Sequence, residues 1–416
     1  MGIERQIQIG EEKIATDLDY FEFRGKKVEP AGCGGMAVRI STAPLTGDIA
    51  KNNGIGVIGL TGICGKIIQS SEKYSKENLR VGREELKQAK EIAGGKGIIA
   101  GNILSEARGV NDFCLDDEVM HNAEMMFMGA GVERNLFKKI QEHYGNDRDA
   151  AIMVPIASTY KALRVNLLLL QRAKYIPPND DKYTFYLELI SAAAHIGLLN
   201  PRHLEDPEKA KEYLLETVAE EIATSPFRSE IRVLLGGGIV DYNDVKKVQD
   251  FGFDGTLTGT AFANTHESGA SDWHKSLISE AHPDGIKTIL SPAGFWANFL
   301  DSDFTQDGLK IGKLIDIETY LKSHEKALEL FKQVVKTREC VTQCLKHCGK
   351  KGDARDSLAG NYCIMGRLNL AIQGSKKGIY FAGKDAYRVG STTSAAERMR
   401  LLLEKRTKKQ KVNLSL

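Results

Sequence analysis

Apolar residues recur in eight short runs along the chain: Val28–Gly32, Gly54–Leu60, Gly97–Ile103, Glu124–Gly129, Ala151–Ala157, Thr184–Ala192, Arg232–Leu235 and Gly255–Gly259. Several are apolar almost throughout, as parallel strands covered on both faces are. Between them, apolar positions spaced three and four apart predict helices over Arg83–Ala93, Glu133–His143, Tyr160–Ala173, Pro207–Ala223, Asn243–Asp250 and Asp272–Ala281. Eight strand-then-helix units predict an α/β fold, a (β/α)8 barrel over residues 28–300. A doubly wound open sheet is the alternative, but it does not need eight units in one unbroken series. Residues 1–27 read as a polar lead-in. Ile315–Lys336 reads as helical, the composition changes from Cys340, and residues 301–400 read as a mostly helical, cysteine-bearing appendage packed on the barrel.

Small or polar residues cluster where the strands end: Gly34, Gly35 and Met36, then Thr61 and Gly62, Asn102, Gly129–Gly131, Ser158, Ala192–His195, Gly236–Gly238, and Gly259 with Thr260. In a barrel these ends share one rim, where active sites lie. A rim of small residues suits a flat, wide ligand pressed against backbone, such as an isoalloxazine ring. The strands Arg232–Leu235 and Gly255–Gly259 each run into such a turn. Backbone N–H groups approach an anion where Cβ atoms are missing, so the tandem turns read as a phosphate cradle built on Gly237, Gly238, Gly259 and Thr260. The plain alternative is a glycine-rich turn with no ligand. Ser291–Leu300 reads as an aromatic loop, either a lid over the rim or a staple holding the C-terminal part to the barrel.

The bulk numbers narrow the function classes. The 416 residues are 42% hydrophobic and 27% charged, ordinary for a soluble enzyme. A net charge of +2 gives no reason to expect nucleic acid. The basic residues 401–416 read as a solvated tail. No run approaches a membrane span, and the polar N-terminus shows no signal peptide, so a cytoplasmic, reducing setting is expected.

In that setting cysteines read as metal or redox groups before disulfides. Cys340, Cys344, Cys348 and Cys363 fall close together, the first three on one face if the segment is helical. Four thiolates can hold zinc or an iron–sulfur cluster, with His347 as a substitute ligand; the alternative is small buried hydrophobes. His195, just past an apolar run, is positioned as a catalytic acid or base, or as a structural cap. His274 reads as a surface or packing residue.

These residues resemble the nitronate monooxygenase family of FMN-binding barrel oxidoreductases, which also takes in enoyl-acyl-carrier-protein reductases. The resemblance is carried by Pro30–Met36, by Asn53–Gly56, and by Ala193, Ala194 and His195, which match an Ala-Gly-Gly-His pattern. It is carried further by the turns Gly237–Ile239 and Gly252–Phe262, and by the order from His274 to Gly294. The C-terminal part, with Tyr362–Ile364, Gly378–Gly383 and Tyr387–Val389, resembles trans-acting enoyl reductases of polyunsaturated-fatty-acid and polyketide synthases. The resemblance implies FMN held at Gly35, Met36, Asn102, Ala193, Ala194, Gly237, Gly238, Gly259 and Thr260, with His195 facing the substrate. It implies NAD(P)H as a possible electron donor, a nitronate or enoyl thioester as substrate, and acyl carrier protein and a homodimer as possible partners. Ala193 and Ala194 replace two family glycines, and their methyl groups narrow the space beside a flavin. On the residues alone, a phosphosugar isomerase or synthase on the same barrel, or a non-catalytic binding protein, stays open.

Overall fold

The computed structural model describes residues 4–68, 70–129, 133–145, 147–178, 181–195, 207–290, 296–310, 314–316, 322, 329, 339–340, 344, 350–351 and 363–405. Its centre is a closed barrel of eight parallel strands: Ala31–Cys33, Ile55–Gly59, Ile98–Leu104, Met125–Gly129, Ile152–Ala157, Tyr183–Glu188, Ile231–Gly236 and Gly255–Thr258. The last strand closes on the first, with Thr256 opposite Ala31 and Thr258 opposite Cys33. Each expected run holds one barrel strand, because an interior strand covered by helices outside and side chains inside needs an almost wholly apolar sequence; the first starts at Ala31 rather than Val28, and the sixth stops at Glu188 rather than Ala192. Ile55–Gly59 and Met125–Gly129 are buried at every position.

The helices follow the same logic. Ser71–Ala93 starts at Ser70, whose side chain accepts from the Lys73 N–H, and ends at Gly94 with φ +60°. Its buried face carries Tyr74, Val81, Leu86 and Ala89. Tyr242–Asp250 opens with a capping box between Asp241 and Asp244. Asp272–Ser279 buries His274, whose Nε2 lies 3.2 Å from the Phe381 carbonyl, which gives it a packing role.

The lead-in contains two hairpins, Arg5–Ile9 with Glu12–Thr16 and Phe21–Phe23 with Lys26–Val28. The second covers the N-terminal end of the barrel. Arg24 donates to the Ala150 carbonyl, Lys26 reaches Gly97 and Glu124, and Arg232 lies over the rings of Phe21 and Phe23. The opposite, C-terminal end is the mouth.

Beyond the eighth strand, Ile286–Leu290 and Trp296–Leu300 pair antiparallel in a four-stranded sheet with Ala194–His195 and Ile315–Asp316. The expected aromatic loop is therefore corrected over Trp296–Leu300, a strand buried at every position. It acts as a staple: Phe299 stacks at 4.8 Å on Phe381 from the C-terminal part. Residues 291–295 lie outside the described residues. The expected helix from Ile315 starts instead as a strand, because Ile315 and Asp316 pair with Leu290 and Ile289; most of 317–336 lies outside the described residues.

The long excursion after the eighth strand leaves and returns at one place. Thr265 bridges Thr393, the His266 N–H donates to the Thr393 carbonyl at 2.9 Å, and the Asn264 side chain bonds Gly390 and Thr392. Helix Ala395–Leu403 then packs between the helices Ala43–Lys51 and Tyr242–Asp250.

Candidate active site at the barrel mouth

Strand Tyr183–Glu188 sends alternate side chains to opposite faces, so Thr184, Tyr186 and Glu188 share one. Tyr186 fixes which: its ring meets Phe127 edge-on at 6.0 Å, and its hydroxyl would lie 1.8 Å from a Cβ on Gly236. Only glycine at 236 admits the phenol, and the Thr184 face is the barrel interior. Glu188, in register with Gly236, is the last residue of that face and stands at the mouth.

Glu188 is surrounded by protein, and this burial alone pushes its carboxyl up to about 8. It nevertheless keeps an intermediate solvent exposure. Both hold for a residue at the mouth that is surrounded by protein yet not sealed from water. Burial, and next the nearby Glu188, hold the Tyr186 phenol well above its ordinary range.

The rim around them gathers most of the expected residues. Gly35 packs directly on Asn102: a Cβ at 35 would lie 2.2 Å from that of Asn102. Met36 flanks Gly259 and bridges Ile58. Gly237, at φ +109°, sits against Leu189, Ser191 and Ala192, and Gly238 has φ +72°. Thr260 begins a short helix, and its Oγ1 accepts from the Gly383 N–H at 2.9 Å. The Lys384 N–H donates to the Ser191 carbonyl at 3.0 Å, so the C-terminal segment is part of the rim. Burial, then Lys287, brings the Lys384 ammonium down to about 8.

Ala194 and His195 form the short strand opposite Asn298 and Ala297; their side chains lie outside the described residues. Ala193 is half-buried beside Gly383. The path from Glu188 to His195 is held by Asn298, fully buried, whose Nδ2 donates to the carbonyls of Ile190 and Ala192. Its Oδ1 accepts from Thr288 at 2.7 Å.

The cysteine segment is different. Cys340 closes a two-residue strand, Glu339–Cys340, so the expected helical face does not begin there. Cys348 and His347 lie outside the described residues, and of Cys340 only the backbone is described. Cys344 is a buried free thiol, and Cys363 a half-buried one at the start of helix Ile364–Ile372. With Cys64, both lie near the Tyr74 phenol, whose titration burial and then these thiols push far upward. Among the described residues, no three His, Cys, Asp or Glu side chains converge as a metal site.

Sequence reading did not single out Tyr186, Glu188, Ser191, Asn298 or Lys384. For the first two a signal existed: Thr184, Tyr186 and Glu188 put a polar group at every second position of an otherwise apolar run.

A family model for nitronate monooxygenase matches residues 190–405. The chain belongs to the nitronate monooxygenase family. No curated protein matches it. Among solved structures, the chain is similar to FabK from Thermotoga maritima, at 16% identity and TM-score 0.56 over 93% of this chain and 94% of that one. It is also similar to a nitroalkane oxidase from Streptomyces ansochromogenes, at 14% identity and TM-score 0.55 over 90% and 94%. The enoyl reductase domain of MlnA from the macrolactin biosynthesis cluster of Bacillus amyloliquefaciens follows, at 12% identity and TM-score 0.53 over 86% and 87%. At these identities the likeness establishes the shared barrel.

As a member of the nitronate monooxygenase family the protein is a flavin-dependent oxidoreductase, and the family implies FMN. The mouth fits such a group. A Cβ on Gly259 would meet only Met36, at 3.9 Å, and one on Gly34 only the Tyr186 hydroxyl, at 4.0 Å, so protein packs loosely against both. The Ser191 hydroxyl beside Gly237 is buried without a hydrogen-bond partner, as suits a group that meets a ligand.

Proposed function

We propose that this flavin-dependent oxidoreductase reduces the activated double bond of an enoyl thioester, with NAD(P)H as electron donor and acyl carrier protein as a carrier of the substrate. The observation carrying this reading is the C-terminal segment Gly378–Gly383, which resembles that of trans-acting enoyl reductases, together with Lys384 that follows it. It is built into the rim: its backbone bonds Leu300, Asn298, Thr260 and Ser191.

In this reading Gly237, Gly238, Gly259 and Thr260 hold the FMN phosphate, and Gly35, Met36, Asn102, Ala193 and Ala194 border the flavin ring. When bound, FMN would supply hydride transfer between the nicotinamide and the substrate β-carbon. The chain's own part is to orient, exclude water and manage protons. Asn298 holds the segment leading to His195, and His195 polarises the thioester carbonyl. Cys340, Cys344, Cys348 and Cys363 remain a proposed zinc or iron–sulfur quartet, which metal analysis of anaerobically purified protein tests.

The functional test is anaerobic NAD(P)H oxidation against a panel of enoyl thioesters and nitroalkanes. Enoyl-dependent oxidation is expected. Consumption of nitronates with oxygen, and no response to any enoyl thioester, would replace this reading by nitronate oxidation.

A further inference from the structure

We propose that Glu188 is the proton donor of this site: a carboxylic acid kept in its neutral form at the barrel mouth and delivered to the substrate during reduction. The proposal rests on the enoyl-reduction reading above.

Three observations carry it. The first is position. Glu188 ends the sixth barrel strand on the inward face that Tyr186 defines, level with Gly236, where the rim opens. The second is access: it is enclosed by protein and still reached by solvent, so it is not sealed in the packed core. The third is the lack of company. Among the described residues, no hydrogen bond or ion pair involves its carboxyl, although the protein has cations in other buried pairs, such as Arg232 with Asp181. Among the described residues, the titratable group that acts with it is Tyr186, on its own strand, and no cation from another element is paired with it; burial raises its titration. An unpaired carboxyl in such a place stays protonated at neutral pH because ionising it would strand a charge in poorly solvated surroundings.

Reduction of an enoyl thioester supplies a use for that proton. A hydride, originating in NAD(P)H, forms a C–H bond at the β-carbon and leaves an electron pair on the α-carbon and carbonyl oxygen. The Glu188 O–H then breaks, a C–H bond forms at the α-carbon, and the carboxylate regains its proton from water. A nitronate, already an anion giving up electrons, has no need of an acid here.

The test uses the full chain loaded with FMN. Infrared difference spectra of wild type against Glu188→Gln, without substrate, are expected to show a carboxylic-acid C=O band at pH about 7 that is lost by pH about 9.5. In stopped flow, reoxidation of the reduced Glu188→Gln protein by enoyl thioester should slow by ~10²–10⁴-fold, with FMN retained by absorbance. Glu188→Asp should recover part of the rate, and it is the variant read if Glu188→Gln loses FMN. Absence of the band, or a wild-type reoxidation rate in Glu188→Gln, overturns the proposal. A band present with no response of the wild type to any enoyl thioester supports the held proton and overturns the substrate reading instead.

Discussion

The side-chain amide of Asn298 donates 2.7 Å to the carbonyl of Ala192, and the backbone of Asn298 lies opposite Ala194 in the sheet. One residue outside the barrel thus sets the course of the segment running into His195. Asn298→Leu, similar in volume, leaves the carbonyls of Ile190 and Ala192 and the Thr288 hydroxyl short of a partner. Each such loss costs about 1–3 kcal/mol. A lowered melting temperature is expected, together with a slower substrate half-reaction at full flavin occupancy. Unchanged values of both would show that the clamp is dispensable.

His195→Ala should retain FMN and slow reoxidation by substrate ~10²–10⁴-fold, the usual worth of a positioned proton-handling group. A rate equal to wild type in single-turnover measurements would make His195 structural.

Two glycines on the rim should respond oppositely to alanine. At Gly35 the new methyl would meet the Asn102 Cβ at 2.2 Å, so Gly35→Ala should destabilise the flavin-free protein by about 1–3 kcal/mol. At Gly259 the nearest protein atom is 3.9 Å away, and its φ of −87° is open to any residue. Gly259→Ala should therefore fold with wild-type stability but bind FMN at least about tenfold more weakly, roughly 1.4 kcal/mol. Denaturant melts and flavin titrations separate the two; a Gly259→Ala protein that binds FMN normally would remove this turn from the flavin site.

Stability should change with pH, and Glu188, Lys384 and His274 each contribute a limb. Glu188 is raised from 4.5 to about 8, so the folded form holds more protons than the unfolded one between these values, and stability falls as pH rises through them. Lys384 is lowered from 10.5 to about 8, so stability rises with pH over that range. Buried His274, lowered from 6.5 to about 4, contributes a rise between about 4 and 6.5. The falling limb from roughly 6.5 upward should shrink in Glu188→Gln, leaving the part carried by His121, which its bond to Asp147 raises from 6.5. The rising limb above 8 should shrink in Lys384→Met, as read by melting temperatures across pH. A limb of unchanged size in its variant belongs to other groups.

The barrel was readable because parallel strands covered on both faces have nowhere to put a polar residue, so Ile55–Gly59 and Met125–Gly129 announce themselves. Glycine turns were readable for the converse reason: Gly237 and Gly238 need positive φ. Harder features depend on contacts far apart in sequence. Trp296–Leu300 looks like a loop until Ala194–His195 supplies its partner. Asn298, amid aromatics, gains its role only from carbonyls more than a hundred positions earlier. Cys340 and Cys344 match a helical spacing that strand pairing at Glu339–Cys340 overrides.

The bridge between Thr265 and Thr393 has an evolutionary meaning. A segment whose two ends meet can be lengthened, shortened or exchanged while the barrel keeps its hydrogen bonds. Yet this segment supplies Asn298, Gly383 and Lys384 to the rim. Selection can therefore retune the mouth by altering one graft, so homologues with the same eight strands are expected to diverge in substrate according to what lies between these two threonines.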